Sequence, residues 1–192
     1  STPASYGTGQ INIINNGIIK YGGENTSSGV GIYVHNNNLL TDSAVTLNTG
    51  SNIDMSSSST GVGIFSSNSA ININGGIIES GNTTGIYAIN GSLINASAGS
   101  IKIDSGGVGV YLSGNSQYHE TGSQTAQFII NGDNAALFSP ETGSIFNINL
   151  ANIDNTTNMM TTPYKFIVGS IGDINYTYDS SLNIGNVENA TI

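Results

Sequence analysis

Aliphatic and polar residues alternate in short runs along most of the chain: Ile11-Asn12-Ile13, Val45-Thr46-Leu47, Ile53-Asp54-Met55, Ile71-Asn72-Ile73, Ile101-Lys102-Ile103 and Ile148-Asn149-Leu150. A period of two sends successive side chains to opposite faces, so each run predicts a short, half-buried strand. Gly, Asn and Ser punctuate the runs and predict turns. No apolar pattern at helical spacing continues for three turns, and Gly, Asn, Ser, Thr and Ile crowd every window, so helix is not expected.

The strands repeat. The pattern x-Gly-[Ile/Val]-[Tyr/Phe] occurs as Val30-Gly31-Ile32-Tyr33, Val62-Gly63-Ile64-Phe65, Thr84-Gly85-Ile86-Tyr87 and Val108-Gly109-Val110-Tyr111, with a degenerate copy at Ala135-Ala136-Leu137-Phe138. Each good copy couples a Gly to an aromatic in a chain with only 9 Tyr and 5 Phe, which makes chance recurrence a poor account. The spacing of the copies predicts an all-β fold, a right-handed parallel β-helix with coils of about 22–27 residues, since one coil cannot bury its own apolar side and must stack on the next. The longer steps are expected to hold loop insertions, one around Asn36-Asn37-Asn38 and one over Ser113 to Thr125. Residues 1–150 are read as the repeat region. Residues 151–192 lose the motif and are read as a modified continuation or the start of another segment. An antiparallel sandwich is the rival architecture, but it supplies no reason for the aromatic motif to recur.

Several segments resemble a known family. Asn16-Gly17-Ile18-Ile19-Lys20-Tyr21-Gly22-Gly23-Glu24-Asn25 leading to Gly29-Val30-Gly31-Ile32-Tyr33, and Gly75-Gly76-Ile77-Ile78-Glu79-Ser80-Gly81-Asn82 leading to Gly85-Ile86-Tyr87, are similar to passenger repeats of large fusobacterial-type autotransporter adhesins of type V secretion. The resemblance spans about residues 7–138. It implies a parallel β-helix exported to the outer-membrane surface, acting in cell adhesion and virulence, with a host glycoprotein receptor, a glycan or a partner bacterium as its target. The family's signal peptide and translocator barrel are not in this sequence, so the expectation is a monomeric passenger fragment. No binding motif of the family transfers to particular residues.

Composition narrows the chemistry. The chain of 192 residues is only 8% charged, and its polarity comes from 27 Asn, 26 Ser and 18 Thr. Its 27 Ile supply enough β-branched apolar surface to separate it from a disordered Gly/Ser segment. A net charge of −9 with three Lys and no Arg cannot neutralise phosphates, which excludes nucleic acid as a partner. The absence of Cys removes disulfides and thiol chemistry. Seven Asn-x-Ser/Thr triplets occur, about the number that this composition produces by chance, and carry no glycosylation signal.

Catalysis finds little footing. His35 and His119 stand far apart outside any zinc pattern, and no Gly-x-Ser-x-Gly elbow exists. A polysaccharide hydrolase or lyase remains the alternative function, since carboxylates could cluster; an ice-binding role is a second one, weakened by the lack of regular Thr-x-Thr rows. The expected reading is a non-enzyme without cofactors. Two rows are the candidate binding features. With Val30 and Ile32 inward, alternation would turn Gly31, Tyr33, Phe65, Tyr87, Tyr111 and Phe138 outward as an aromatic stripe for a sugar or protein, or as a purely stabilising stack. Glu24, Asp54, Glu79, Asp104 and Asp133 recur once per repeat, as a calcium or basic-partner ridge or as a solvated row. The insertion holding Tyr118, His119 and Glu120 is the third candidate, with Tyr118 as the anchoring ring and its neighbours as hydrogen-bonding groups.

Overall fold

β-Branched aliphatics at every second position favour extended backbone, and strands dominate the described residues. The structure, a computed structural model, describes residues 11–22, 28–36, 43–104, 106–120, 127–130, 136–140, 144–149, 153–154, 165–167 and 173–177. The first parallel sheet contains eleven strands: β1 (Ile11–Asn15), β2 (Ile18–Lys20), β4 (Ser43–Leu47), β5 (Asn52–Asp54), β7 (Ala70–Glu79), β9 (Leu93–Ile103), β11 (Gln117–Glu120), β12 (Gln127–Ile130), β14 (Ile145–Asn149), β15 (Ile153–Asp154) and β17 (Asp173–Thr177). The second contains six: β3 (Ser28–His35), β6 (Thr60–Ser67), β8 (Thr84–Ile89), β10 (Val108–Leu112), β13 (Ala136–Pro140) and β16 (Lys165–Ile167).

The first sheet branches. One limb runs β1-β4-β7-β9-β11-β14-β17, and a second runs through β2, β5, β7, β9, β12 and β15. The long strands β7 and β9 belong to both limbs. Ile71 pairs with Val45 in one limb while Ile78 pairs with Ile53 in the other, and the β7–β9 ladder shifts register between Ile73 and Ile77. Gly76 and Gly99 take positive φ values of 83° and 98° at that irregularity. A side chain there would strain the backbone and press on Ser51 and Gly75 respectively.

This arrangement corrects the expected closed right-handed β-helix with coils of 22–27 residues. The fold is all-β and parallel, but the described strands form two sheets, and among them no ladder joins a strand of one sheet to a strand of the other. The register offsets also exceed the expected range, from 22 residues between Ile64 and Ile86 to 34 between Ile18 and Asn52. The physical reason lies in the turns. Between the sheets the chain leaves the ladder and satisfies its polar groups with side chains. Ser92 sits at such a turn with no solvent exposure: its hydroxyl donates to the Ile89 carbonyl at 2.8 Å and accepts from the Ser66 hydroxyl at 3.0 Å, while its N–H donates to Ser116 Oγ at 3.1 Å. Asn68 and Asn90, with φ near 51° and 56°, supply the left-handed residues that these reversals need.

The core lies between the sheets as aligned aliphatic rows: Ile32, Ile64, Ile86 and Val110 from the second sheet, then Val45, Ile71 and Ile94, and Ile53, Ile78 and Ile101, from the two limbs of the first. The repeated glycine has its explanation here. A Cβ on Gly31 would fall 2.6 Å from the Gly63 carbonyl oxygen and 2.9 Å from Ile53 Cγ2; on Gly63, 2.6 Å from Gly85 O and 3.1 Å from Ile78 Cγ2; on Gly85, 2.7 Å from Gly109 O and 3.3 Å from Ile101 Cγ2. The glycine faces inward and lets an isoleucine of the other sheet rest on bare backbone. The expected orientation of this motif is therefore corrected: Gly31 points into the core, and Val30 is 49% exposed. Simple alternation breaks because Gly31 and Ile32 both face the interior.

Strands β15, β16 and β17, within residues 151–192, pair with β12, β13 and β14. Gly63→Ala should lower stability by about 1–3 kcal/mol through overpacking against backbone. Gly17→Ala, where a Cβ meets nothing within 4 Å, should stay within about 0.5 kcal/mol. Parallel thermal or urea melts of the two variants check this, and equal effects would refute the close-approach role of Gly63.

Candidate functional site

The second sheet places the motif aromatics in one register, Tyr33↔Phe65↔Tyr87↔Tyr111. Tyr33 and Phe65 are parallel, 1° apart in plane with centroids at 5.0 Å. Phe65 meets Tyr87 edge-on at 5.4 Å, and Tyr87 and Tyr111 tilt together at 4.5 Å. The four rings form a continuous row on the outside of the sheet. Tyr33 is 62% exposed, while Phe65, Tyr87 and Tyr111 are half-buried. Phe138 does not continue the register: Val110 pairs with Phe138 and Tyr111 with Ser139, one residue out of phase with the spacing read from the sequence.

The carboxylates are arranged differently from a ridge of like charge. Register aligns Lys20, Asp54, Glu79 and Lys102 on four successive strands of the second limb. Lys20 Nζ lies 3.0 Å from Asp54 Oδ2, and Lys102 Nζ lies 3.2 Å from Glu79 Oε2. Asn52 Nδ2 adds a hydrogen bond to Glu79 Oε1 at 3.1 Å. Two of the three lysines thus neutralise the two carboxylates that stack. Asp104 stands off this row, with its N–H bonded to the Gly81 carbonyl, and Glu24 and Asp133 lie outside the described residues. Among the described residues no group of three or more His, Asp or Glu is placed to hold a metal ion.

Partial burial of Asp54 works to raise its pKa, but hydrogen bonds from the Ser56 hydroxyl and N–H and from Lys20, together with the Lys20 charge, outweigh it and hold the carboxyl below its ordinary range.

The candidate insertion is not a free loop. It contains strand β11, paired to β9 on one side and β14 on the other. Alternation divides the three residues: Tyr118 is fully buried, in register with Ile94, and Glu120 shares its inward side with one carboxylate oxygen buried. Burial pushes the Tyr118 phenol well above its ordinary pKa, and the charge of Glu120 adds to the shift. Tyr118 is a core residue and cannot anchor a partner. His119 alone reaches the outer face, where Nε2 sits 2.9 Å from Gln117 Oε1.

No family model, curated protein or solved structure matches this chain. The functional reading therefore rests on geometry and on the residues themselves.

Sequence reasoning missed a second repeat. Ser43-Ala44-Val45-Thr46, Ser69-Ala70-Ile71-Asn72, Ser92-Leu93-Ile94-Asn95, Ser116-Gln117-Tyr118-His119 and Ser144-Ile145-Phe146-Asn147 fall in one register across the first limb. The serine stands at the first position of its strand or immediately before it, and Ser69, Ser92, Ser116 and Ser144 are buried. The third residue is apolar, and the fourth is a polar group. The signal was available as Ser three residues before Asn, Thr or His, but two Ile-Asn-Ile runs looked like ordinary alternation.

With Asp54 and Glu79 paired to lysines, millimolar Ca²⁺ should raise the melting temperature no more than monovalent salt at matched ionic strength. Asp54 titrates in the folded state below its unfolded value of about 3.9, so its contribution is present above that value and is lost as pH falls through the lower folded one. Asp54→Asn should cost on the order of 1 kcal/mol at neutral pH, a modest figure because Lys20 is largely exposed. The variant should also narrow the stability difference between neutral and acid pH. Thermal melts across that range check the sign.

Proposed function

We propose that this chain is a segment of an exported bacterial surface adhesin of the autotransporter passenger kind, a non-catalytic scaffold whose aromatic row docks a protein receptor on a host cell or a partner bacterium. One observation carries the reading: Tyr33, Phe65, Tyr87 and Tyr111 form an unbroken row of rings on the outside of a parallel sheet. Aromatic side chains offer large contact area at low entropic cost and dominate protein interfaces.

The stacking selects the partner. Rings that lie against one another present edges and phenol hydroxyls outward and keep few faces free, which suits the mixed apolar and polar surface of a protein better than the flat stacking of a sugar ring. A flanking row, Val30, Val62, Thr84 and Val108, extends the apolar area on one side. The rigid ladder beneath keeps the rings in place before binding, so little ordering cost is added on contact.

Beads coated with the protein should adhere to cells bearing the receptor. The variant Tyr33→Ser, Tyr87→Ser, Tyr111→Ser should lower adherence tenfold or more, with the chain still folded by circular dichroism. Adherence unchanged by the triple substitution, or no adherence by the unaltered protein to any epithelial, endothelial or bacterial cell tested, overturns the proposal.

A further inference from the structure

The outer face of the first limb carries a different chemistry. Thr46, Asn72, Asn95 and His119 share one register, and Asn147 and Asn175 occupy the next two positions of the same row. On the first four of these strands the preceding residues, Val45, Ile71, Ile94 and Tyr118, have no solvent exposure, so alternation turns Thr46, Asn72, Asn95 and His119 outward. Asn95 Nδ2 donates to Asn72 Oδ1 at 3.3 Å, and two residues further along the same pair of strands Ser97 Oγ donates to Asn74 Oδ1 at 3.1 Å. These bonds fix the amide planes and use one donor of Asn95 and one acceptor of Asn72. The Asn72 NH₂ and the Asn95 carbonyl oxygen keep capacity for a ligand.

We propose that this row binds a neutral linear polysaccharide laid across the strands, at a site separate from the aromatic row. Charge selects the ligand class. The chain carries a net charge of −9, yet none of the outward side chains described on this limb (Ile14, Ala44, Thr46, Ala70, Asn72, Asn74, Leu93, Asn95, Ser97, Gln117, His119) is a carboxylate or a lysine. The stacked charges Lys20, Asp54, Glu79 and Lys102 occupy the other limb. An ionic ligand would lose hydration here with no counter-charge to replace it. A protein partner would need the aromatic or arginine anchors that this face lacks. Sugar hydroxyls both donate and accept, and the amides present both functions alternately. The strands repeat about every 4.8 Å, comparable to the advance of one sugar ring along an extended chain, so successive amides meet successive rings. Half-burial of Asn72, Asn95 and His119 holds them ready for this contact.

The test is retention of the folded protein on microcrystalline cellulose, chitin and insoluble mannan, with alginate as the acidic control. The protein should be retained on at least one of the three neutral polymers and not on alginate. Asn72→Thr, Asn95→Thr, His119→Thr, which keeps strand-compatible side chains, should weaken retention tenfold or more. Asn95→Asp, nearly the same shape with a charge added, should weaken it as well while melting stays close to that of the parent. The Tyr33, Tyr87 and Tyr111 serine variant should be retained like the parent, which keeps this site distinct from the receptor-docking reading. No retention on any neutral polymer, equal retention by the amide variants, or loss confined to the tyrosine variant overturns the proposal.

Discussion

The two sheets meet with side chains from only one of them where Gly31, Gly63 and Gly85 face Ile53, Ile78 and Ile101. The isoleucines of the first sheet press on the peptide planes of the second, so the separation of the sheets is set by a methyl group against bare backbone. Along the other direction each glycine lies close to the carbonyl of its counterpart in the next strand, which ties the position of one repeat to the position of the next. Burying each isoleucine in this seam contributes roughly 1.5–3 kcal/mol, and the contribution exists only while the glycine rows stay aligned. The in-register ladders, the aliphatic rows and the outward position of the tyrosines all follow from that alignment.

A chain this poor in charge still has to satisfy buried polar groups, and it does so with small hydroxyls and amides. Ser69, Ser92 and Ser116 sit fully buried where the chain passes from one sheet to the other, and their hydroxyls and N–H groups close hydrogen bonds that the ladder leaves open. Two of the three lysines and two carboxylates gather in one row, Lys20, Asp54, Glu79 and Lys102. Two neutral chemistries occupy other faces, ring edges on the second sheet and amides on the first limb. Separate faces with separate chemistry can engage different partners without competing for the same side chains.

Much of this was legible in the sequence. Alternation located most of the strands, and the recurrence of Gly with an aromatic placed Tyr33, Phe65, Tyr87 and Tyr111 in one row, because in a parallel ladder equal offsets place equivalent residues side by side. The turns were less readable. Spacing by itself does not say whether successive strands close into one tube or divide between two sheets, since that depends on how far each Ser- and Asn-rich turn carries the chain. The degenerate fifth copy shows the same limit: a register displaced by one residue pairs Phe138 with Val110 instead of Tyr111, and a period-two structure turns such a shift into a change of face.

By itself the sequence determined the elements: β-branched residues at alternate positions make extended backbone, and glycines at repeated positions mark where backbones approach. Only the tertiary structure decided which side of each strand met the core. Tyr118, His119 and Glu120 looked like one exposed cluster, yet pairing β11 between β9 and β14 buries the tyrosine and leaves the histidine in the amide row. Asp54 and Glu79 looked like a ridge of like charge, yet the offsets of 34, 25 and 23 residues along β2, β5, β7 and β9 bring Lys20 and Lys102 beside them. The reason is common to both cases: a strand's neighbours come from other parts of the chain, and the sign and polarity of a surface row depend on residues that are adjacent only across the ladder.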